Sequence, residues 1–352
     1  MSAPSMLRGG VFVALLVTLP MLGLQHWFLN LLVFVLIYAT LSSSWNLVGG
    51  FAGYPSLGHA GFFGIGAYTL ALIFKDHVLA TGYEPFLLLP VVGLIGALIG
   101  WPIAVISMRT RADVFAIVTI TFLFVIQTLA FNLHDLTGGS QGTALPIPPF
   151  SAAQFEVPFY YVMVALLLFT MGLTFATMRS KLGLSLVSIR ADEDKARGVG
   201  VRVIGVKVLA FSVSVGITSM VGAVWAYYES FIYPQFAVDP LITIAMVLMT
   251  FLGGRGTLWG PVLGAVILES GQQLLTYQLG AVQLYLIVYA LIFLVIILLL
   301  PRGILPTIED RLRLRSRRRR ADAEGAATAV WPKDTAISSE ADHANMLGGG
   351  AT

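Results

Sequence analysis

Long apolar runs separated by short polar breaks dominate the chain. Ten such runs fall at 9–24, 27–47, 60–74, 86–108, 114–133, 159–177, 208–228, 241–252, 261–275 and 283–300. Residues 9–74 contain no Asp, Glu, Lys or Arg at all. A bilayer core is crossed by ~20 apolar residues, so that one stretch needs about three spans. The pattern predicts an all-α, polytopic transmembrane helical bundle of eight to ten spans, with several helices interrupted by Gly or Pro. The count turns on 241–275, which reads either as two full spans or as a re-entrant pair, because 241–252 is short for a crossing. No cleavable leader is evident after Arg8, so the first helix is expected to stay.

Polar residues are concentrated in two places. Residues 179–207 hold seven basic side chains (Arg179, Lys181, Arg190, Lys195, Arg197, Arg202, Lys207) and three acids (Asp192, Glu193, Asp194). The second cluster is the arginine-rich stretch 302–320. Arg109 and Arg111 lie in a third, shorter break, while 134–158 and 229–239 have no Lys or Arg. The positive-inside rule then puts both termini and the 179–207 island in the cytoplasm. The expected organisation is a transmembrane domain at 1–306 and a basic, then disordered, tail at 307–352. The arginine run reads as a stop-transfer anchor or as a basic helix on the anionic leaflet. Nucleic-acid binding is not expected behind a membrane bundle.

Composition narrows the chemistry. Charged residues make up 11% of the chain, against about 25% in soluble domains. There is no cysteine, which excludes disulfides and thiolate chemistry. The five histidines are scattered and no H-E-x-x-H occurs, so no metal site is expected. No G-x-x-x-x-G-K-[ST] loop exists, so ATP-driven work would need a separate ATPase chain. Ser56 and His59 stand three apart and raise a nucleophile–base pair, but no acid follows to orient the histidine. A hydrogen-bonding histidine is the simpler reading, and no catalytic residue is expected.

Two segments are dense in glycine. Residues 46–68 read NLVGGFAGYPSLGHAGFFGIGAY, and 252–268 read LGGRGTLWGPVLGAVIL. Glycine at this density suits close helix crossing, or a break that bares backbone to a pathway. Both uses stay open at the level of sequence.

These segments, with IRADEDKARGVGVRVIGVKVLAF and the loop LTGGSQGTALPIP, resemble membrane subunits of branched-chain amino-acid ABC importers, of the larger permease type. The resemblance runs from about Leu31 to Arg302. It implies a non-enzymatic permease in a bacterial inner membrane. The implied partners are a second homologous permease, two cytoplasmic ATP-binding subunits, a periplasmic solute-binding protein and membrane lipid. No cofactor is expected on this chain, and ATP is used by the partner ATPases. Permeases for urea, short amides or aromatic acids look similar and are the alternatives for the solute. An ion-coupled secondary transporter is a further alternative, disfavoured by the scarcity of acids in the deep segments. Within the island, 184–196 is expected to form a helix that docks in an ATPase groove. Arg190, Asp192, Glu193 and Ala196 are its expected contacts, and Gly198 and Gly200 end it. Ser56, Gly58, His59, Phe62 and Gly254 are the expected pathway residues. Gly198 and Arg255 depart from the family pattern, and Arg255 suggests either a cytoplasmic end for the second glycine turn or a different solute.

Overall fold

A computed structural model describes residues 16–23, 25–76, 81–279, 290–291, 294 and 303–307. Two compact units are delineated, Met1–Leu305 and Pro306–Thr352. Only Pro306 and Thr307 of the second are described, so the expected tail lies outside the described residues.

The architecture is helical. The main helices are α1 (His26–Trp45), α2 (His59–Asp76), α3 (Leu89–Ser107), α4 (Ala112–Asn132), α5 (Glu156–Arg179), α6 (Lys181–Ala191), α7 (Glu193–Gly198), α8 (Val203–Glu229), α9 (Pro240–Gly253) and α10 (Gly260–Leu279). Eight of the ten apolar runs are therefore helices. Of the run at 9–24 only residues 16–23 are described, and most of that at 283–300 lies outside the described residues. Six described segments are long and apolar enough to cross a membrane: His26–Ala52, Leu89–Ser107, Ala112–Asn132, Glu156–Arg179, Val203–Glu229 and Pro234–Gly253. α2 and α10 carry more polar residues, including Lys75, Asp76, Glu269 and Gln273.

α1 continues into a π-helical stretch, Asn46–Ala52, that ends at Gly53 with φ +74°. The wider winding follows from the glycine pair 49–50. A methyl group on Gly49 would overlap the Trp45 indole, so the turn closes over that ring only with glycine there. α8 lies at the centre, against α2 and α3 most heavily. Its crossing with α2 is backbone to backbone: a Cβ on Gly66 would strike the Ser219 carbonyl, and one on Gly222 the Phe63 carbonyl. This is small-residue packing of the kind that substitutes for a hydrophobic driving force in lipid.

The chain runs back and forth between two ends. At one end sit α6–α7, the π-helical stretch and the 254–259 turn. At the other, Lys75 donates to the Asp135 carbonyl at 2.6 Å, His26 pairs with Glu156 at 3.2 Å, and two short strands, β1 (Thr143–Ala144) and β2 (Phe231–Ile232), pair antiparallel. Among the described residues, the basic breaks at 109–111 and 179–207 thus share one end and the loops poor in Lys and Arg share the other.

Candidate functional site

The island is built into the bundle. Its first helix, α6, starts at Ser180, whose side chain accepts from the Gly183 amide. The single helix expected over 184–196 is instead two, broken at Asp192. That residue is extended (φ −165°, ψ 109°) and caps α7 by accepting from the Lys195 amide at 3.0 Å. An aspartate three residues before a backbone donor competes with continued helix, which explains the break. α7 then stops at Gly198, and Gly200 takes φ +90°, as expected of the glycine pair.

The inner face of the island, Leu186, Ile189 and Ala196, joins a core cluster with Val48, Phe51, Phe62, Phe115 and Phe211. Ala196 is 3% exposed, so it seats α7 and does not form part of an outward contact surface, contrary to its expected role. The outward face carries Leu184, Val187 and Val199, which are 70%, 53% and 81% exposed.

Two side chains fasten the island to the glycine segments. Arg190 donates through Nη1 to the Gly50 carbonyl at 2.7 Å and lies against Gly53 and Gly256. A side chain at either glycine would collide with the arginine. Glu193 faces Lys207 of α8, whose Nζ lies 3.2 and 3.3 Å from its two oxygens. Tyr54 donates its hydroxyl to the same carboxylate, Arg197 reaches it at 3.1 Å, and Lys207 sits 4.0 Å from the centre of the Tyr54 ring. Burial alone would raise the Glu193 carboxyl. The Tyr54 hydrogen bond and the Lys207 and Arg197 charges outweigh it and hold the group below the usual glutamate range. Asp192 is also held low, by the Lys195 amide and then by its side chain.

Lys207, the last basic residue of the island, is fully buried at its side chain and is the membrane-helix half of this joint. Asn46, which sequence reading passed over, clips the two glycine segments together. It donates to the Thr257 carbonyl at 2.9 Å and accepts from the Gly256 amide at 2.8 Å. The signal for both was present, as a polar residue at the edge of an apolar run. What each would touch was not.

The expected pathway residues form one cluster and one outlier. Ser56 lies 2.9 Å from His59 Nδ1, and His59 Nε2 lies 2.8 Å from Ser214 on α8. The histidine is held between two hydroxyls, with no carboxylate beside it. Phe62 is fully buried between Phe122 and Phe211, and a methyl on Gly58 would press on the Thr119 carbonyl. All four are enclosed by their own chain in this conformation. Gly254 belongs to the other segment, at φ +127° beside Gly260 and Gly303. Arg255, next to it, is exposed at the island end, as its charge suggested.

Residues 27–299 match the model of the family described as branched-chain amino acid transport system / permease component. The chain belongs to this family. It is 28% identical over 318 residues to the high-affinity branched-chain amino acid transport system permease protein LivM of Salmonella typhimurium, covering 80% of this chain and 70% of that one. The Escherichia coli K12 LivM protein is 27% identical over the same shares. The LivH permease of Salmonella typhimurium is 23% identical over 290 residues, or 77% of this chain and 92% of its own. No solved structure matches the chain. This permease is thus a multi-pass membrane protein, related to both permease types of one transport system.

Proposed function

We propose that this permease is one half of the membrane channel of an ATP-driven importer for branched-chain amino acids. A second homologous permease supplies the other half. Two cytoplasmic ATP-binding subunits drive the cycle, and a periplasmic binding protein delivers the solute. The chain lies in a bacterial inner membrane with both termini cytoplasmic. Eight described helices alternate between the two ends, and the apolar runs at 9–24 and 283–300 bring the count to ten spans. The names of the relatives favour branched-chain amino acids over urea, short amides or aromatic acids.

One observation carries the coupling role. α6 and α7 present Leu184, Val187 and Val199 outward while Arg190 and Glu193 grip Gly50 and Lys207 behind them. A force applied to the outer face therefore reaches α1 and α8 through short polar links rather than through a slack loop. Arg190, Asp192 and Glu193 act as transmission residues, and Ala196 sets the seat. Gly198 and Gly200 form the stop that turns the chain into α8.

Co-purification of the ATP-binding subunits tests this. Leu184→Glu with Val199→Glu should release them while the permease stays in the membrane at wild-type level. Retention of the subunits by that variant, with normal leucine uptake, would place the ATPase elsewhere. Uptake of urea or an amide but not leucine by the intact importer would move the solute assignment to an alternative.

A further inference from the structure

Residues 229–239 look like an external loop in sequence, yet the structure folds their second half into the bundle. After β2 the chain makes one helical turn, Pro234–Ala237, and Ala237 and Val238 are fully buried. A methyl on Gly64 would press against Val238, the Gln127 amide donates to the Val238 carbonyl at 3.2 Å, and the Ala60 amide donates to Thr243 at 2.8 Å. Ala237, Val238 and Thr243 thus pack into the bundle, and Asp239 at the head of α9 stays half-buried between them.

Asp239 lines a cavity of about 190 Å³. Phe34, Tyr38, Phe63, Trp225 and Phe236 supply most of the wall, with aliphatic Ile37, Leu41 and Ile242 beside them. Phe34, Ile37 and Leu41 are eight to fifteen residues past His26, about 12–23 Å along α1 at 1.5 Å per residue. These positions are the middle of a segment, His26–Ala52, that is long and apolar enough to cross the ~30 Å apolar layer. One Asp239 oxygen accepts from the Leu241 amide at 2.8 Å. The carboxylate forms no ion pair among the described residues. A half-buried carboxylate that has no counter-charge and opens on an aromatic cavity is a candidate seat for a cation.

We propose that this cavity is a transit site that takes the ammonium group of an aliphatic amino acid against Asp239 and its side chain against the aromatic wall. This rests on the importer reading and adds the recognising residue. The two chemistries needed are both present: a carboxylate for the charge, and ring faces that attract an ammonium while matching an aliphatic chain. The cap that Asp239 gives α9 does not need its charge, because asparagine caps a helix equally well.

Asp239→Asn therefore removes the charge and keeps the cap. The full chain in lipid nanodiscs is titrated with L-leucine, with 3-methylbutan-1-amine and with 4-methylpentanoate. Leucine and the amine should bind saturably, the acid should not, and Asp239→Asn should weaken leucine at least about tenfold. Asp239→Glu should retain binding. Equal binding of the acid, an unchanged Asp239→Asn, no leucine binding at all, or displacement by sodium chloride alone would each overturn the proposal. Uptake by the assembled importer separates the two levels. Wild type that imports no leucine defeats the importer reading. Wild type and Asp239→Asn importing leucine at the same rate defeats only the transit site.

Discussion

Replacing Glu193 with alanine leaves Lys207 fully buried with no carboxylate to face. Removing one member of a buried ion pair costs about 3–5 kcal/mol in enclosed cases. Here the Tyr54 ring 4.0 Å away still offers the ammonium ~0.5–2 kcal/mol. The expected loss is therefore about 2–3 kcal/mol. The reverse change, Lys207→Met, is milder. Glu193 is 24% exposed and keeps Arg197 at 3.1 Å and the Tyr54 hydroxyl, while methionine fills the lysine's space. About 1 kcal/mol is expected. At roughly 2 °C per kcal/mol, the lower end for chains somewhat shorter than this one, Glu193→Ala should lower the apparent Tm by about 5 °C and Lys207→Met by about 2 °C. The double variant should unfold near Lys207→Met, since the stranded charge is gone. Thermal unfolding in detergent at one scan rate measures all three. Equal losses for the two single variants, or a double variant whose loss is their sum, would refute the buried joint.

Four further outcomes follow from the same geometry. The Glu193 carboxyl is held low, so its stabilisation is complete above the ordinary glutamate pKa near 4.5 and is lost as pH falls through the depressed value; the Tm gap between wild type and Glu193→Gln should close on acidification and persist at neutral pH. Asn46→Ala strands the Thr257 carbonyl and the Gly256 amide and should cost about 2–3 kcal/mol, read as a Tm drop of roughly 4–6 °C. Gly66→Ala forces α2 away from the Ser219 carbonyl and should cost at least about 1–3 kcal/mol, whereas Gly198→Ala, with open space around it, should leave Tm unchanged within a degree. His59→Asn keeps hydrogen-bonding capacity between Ser56 and Ser214 and should retain uptake, while His59→Leu should lose membrane accumulation; abolition of uptake by both at full expression would assign the histidine a chemical role.

The helices, their approximate ends and the island were legible because each depends on local composition. A run without charge must be a span, and Gly198 with Gly200 must end a helix whatever lies beyond. Glycine density announced close approach, but not which backbone would approach. The break at Asp192 was also readable in principle, since an aspartate followed by acidic residues 193–194 suits a helix N-terminus, yet the strong helix formers around it masked the signal.

Ala196 and Lys207 were misjudged for one shared reason. Their roles depend on partners far away in sequence: Ala196 on the island's inner core, Lys207 on Tyr54 and Glu193. Hydropathy reads an alanine in a charged stretch and a lysine at a span's edge as surface residues. Burial reverses both readings. The sequence by itself determined a multi-pass helical permease of this family, with its basic breaks on one side, because transfer into lipid acts on each segment almost independently of the others. The tertiary structure alone decided that Asn46 and Arg190 tie the glycine segments together, that Lys207 locks the island to α8, and that Asp239 lines an aromatic cavity. Those facts depend on which side chains meet once the helices cross, and crossing is set by steric fit between backbones rather than by the polarity of any one segment.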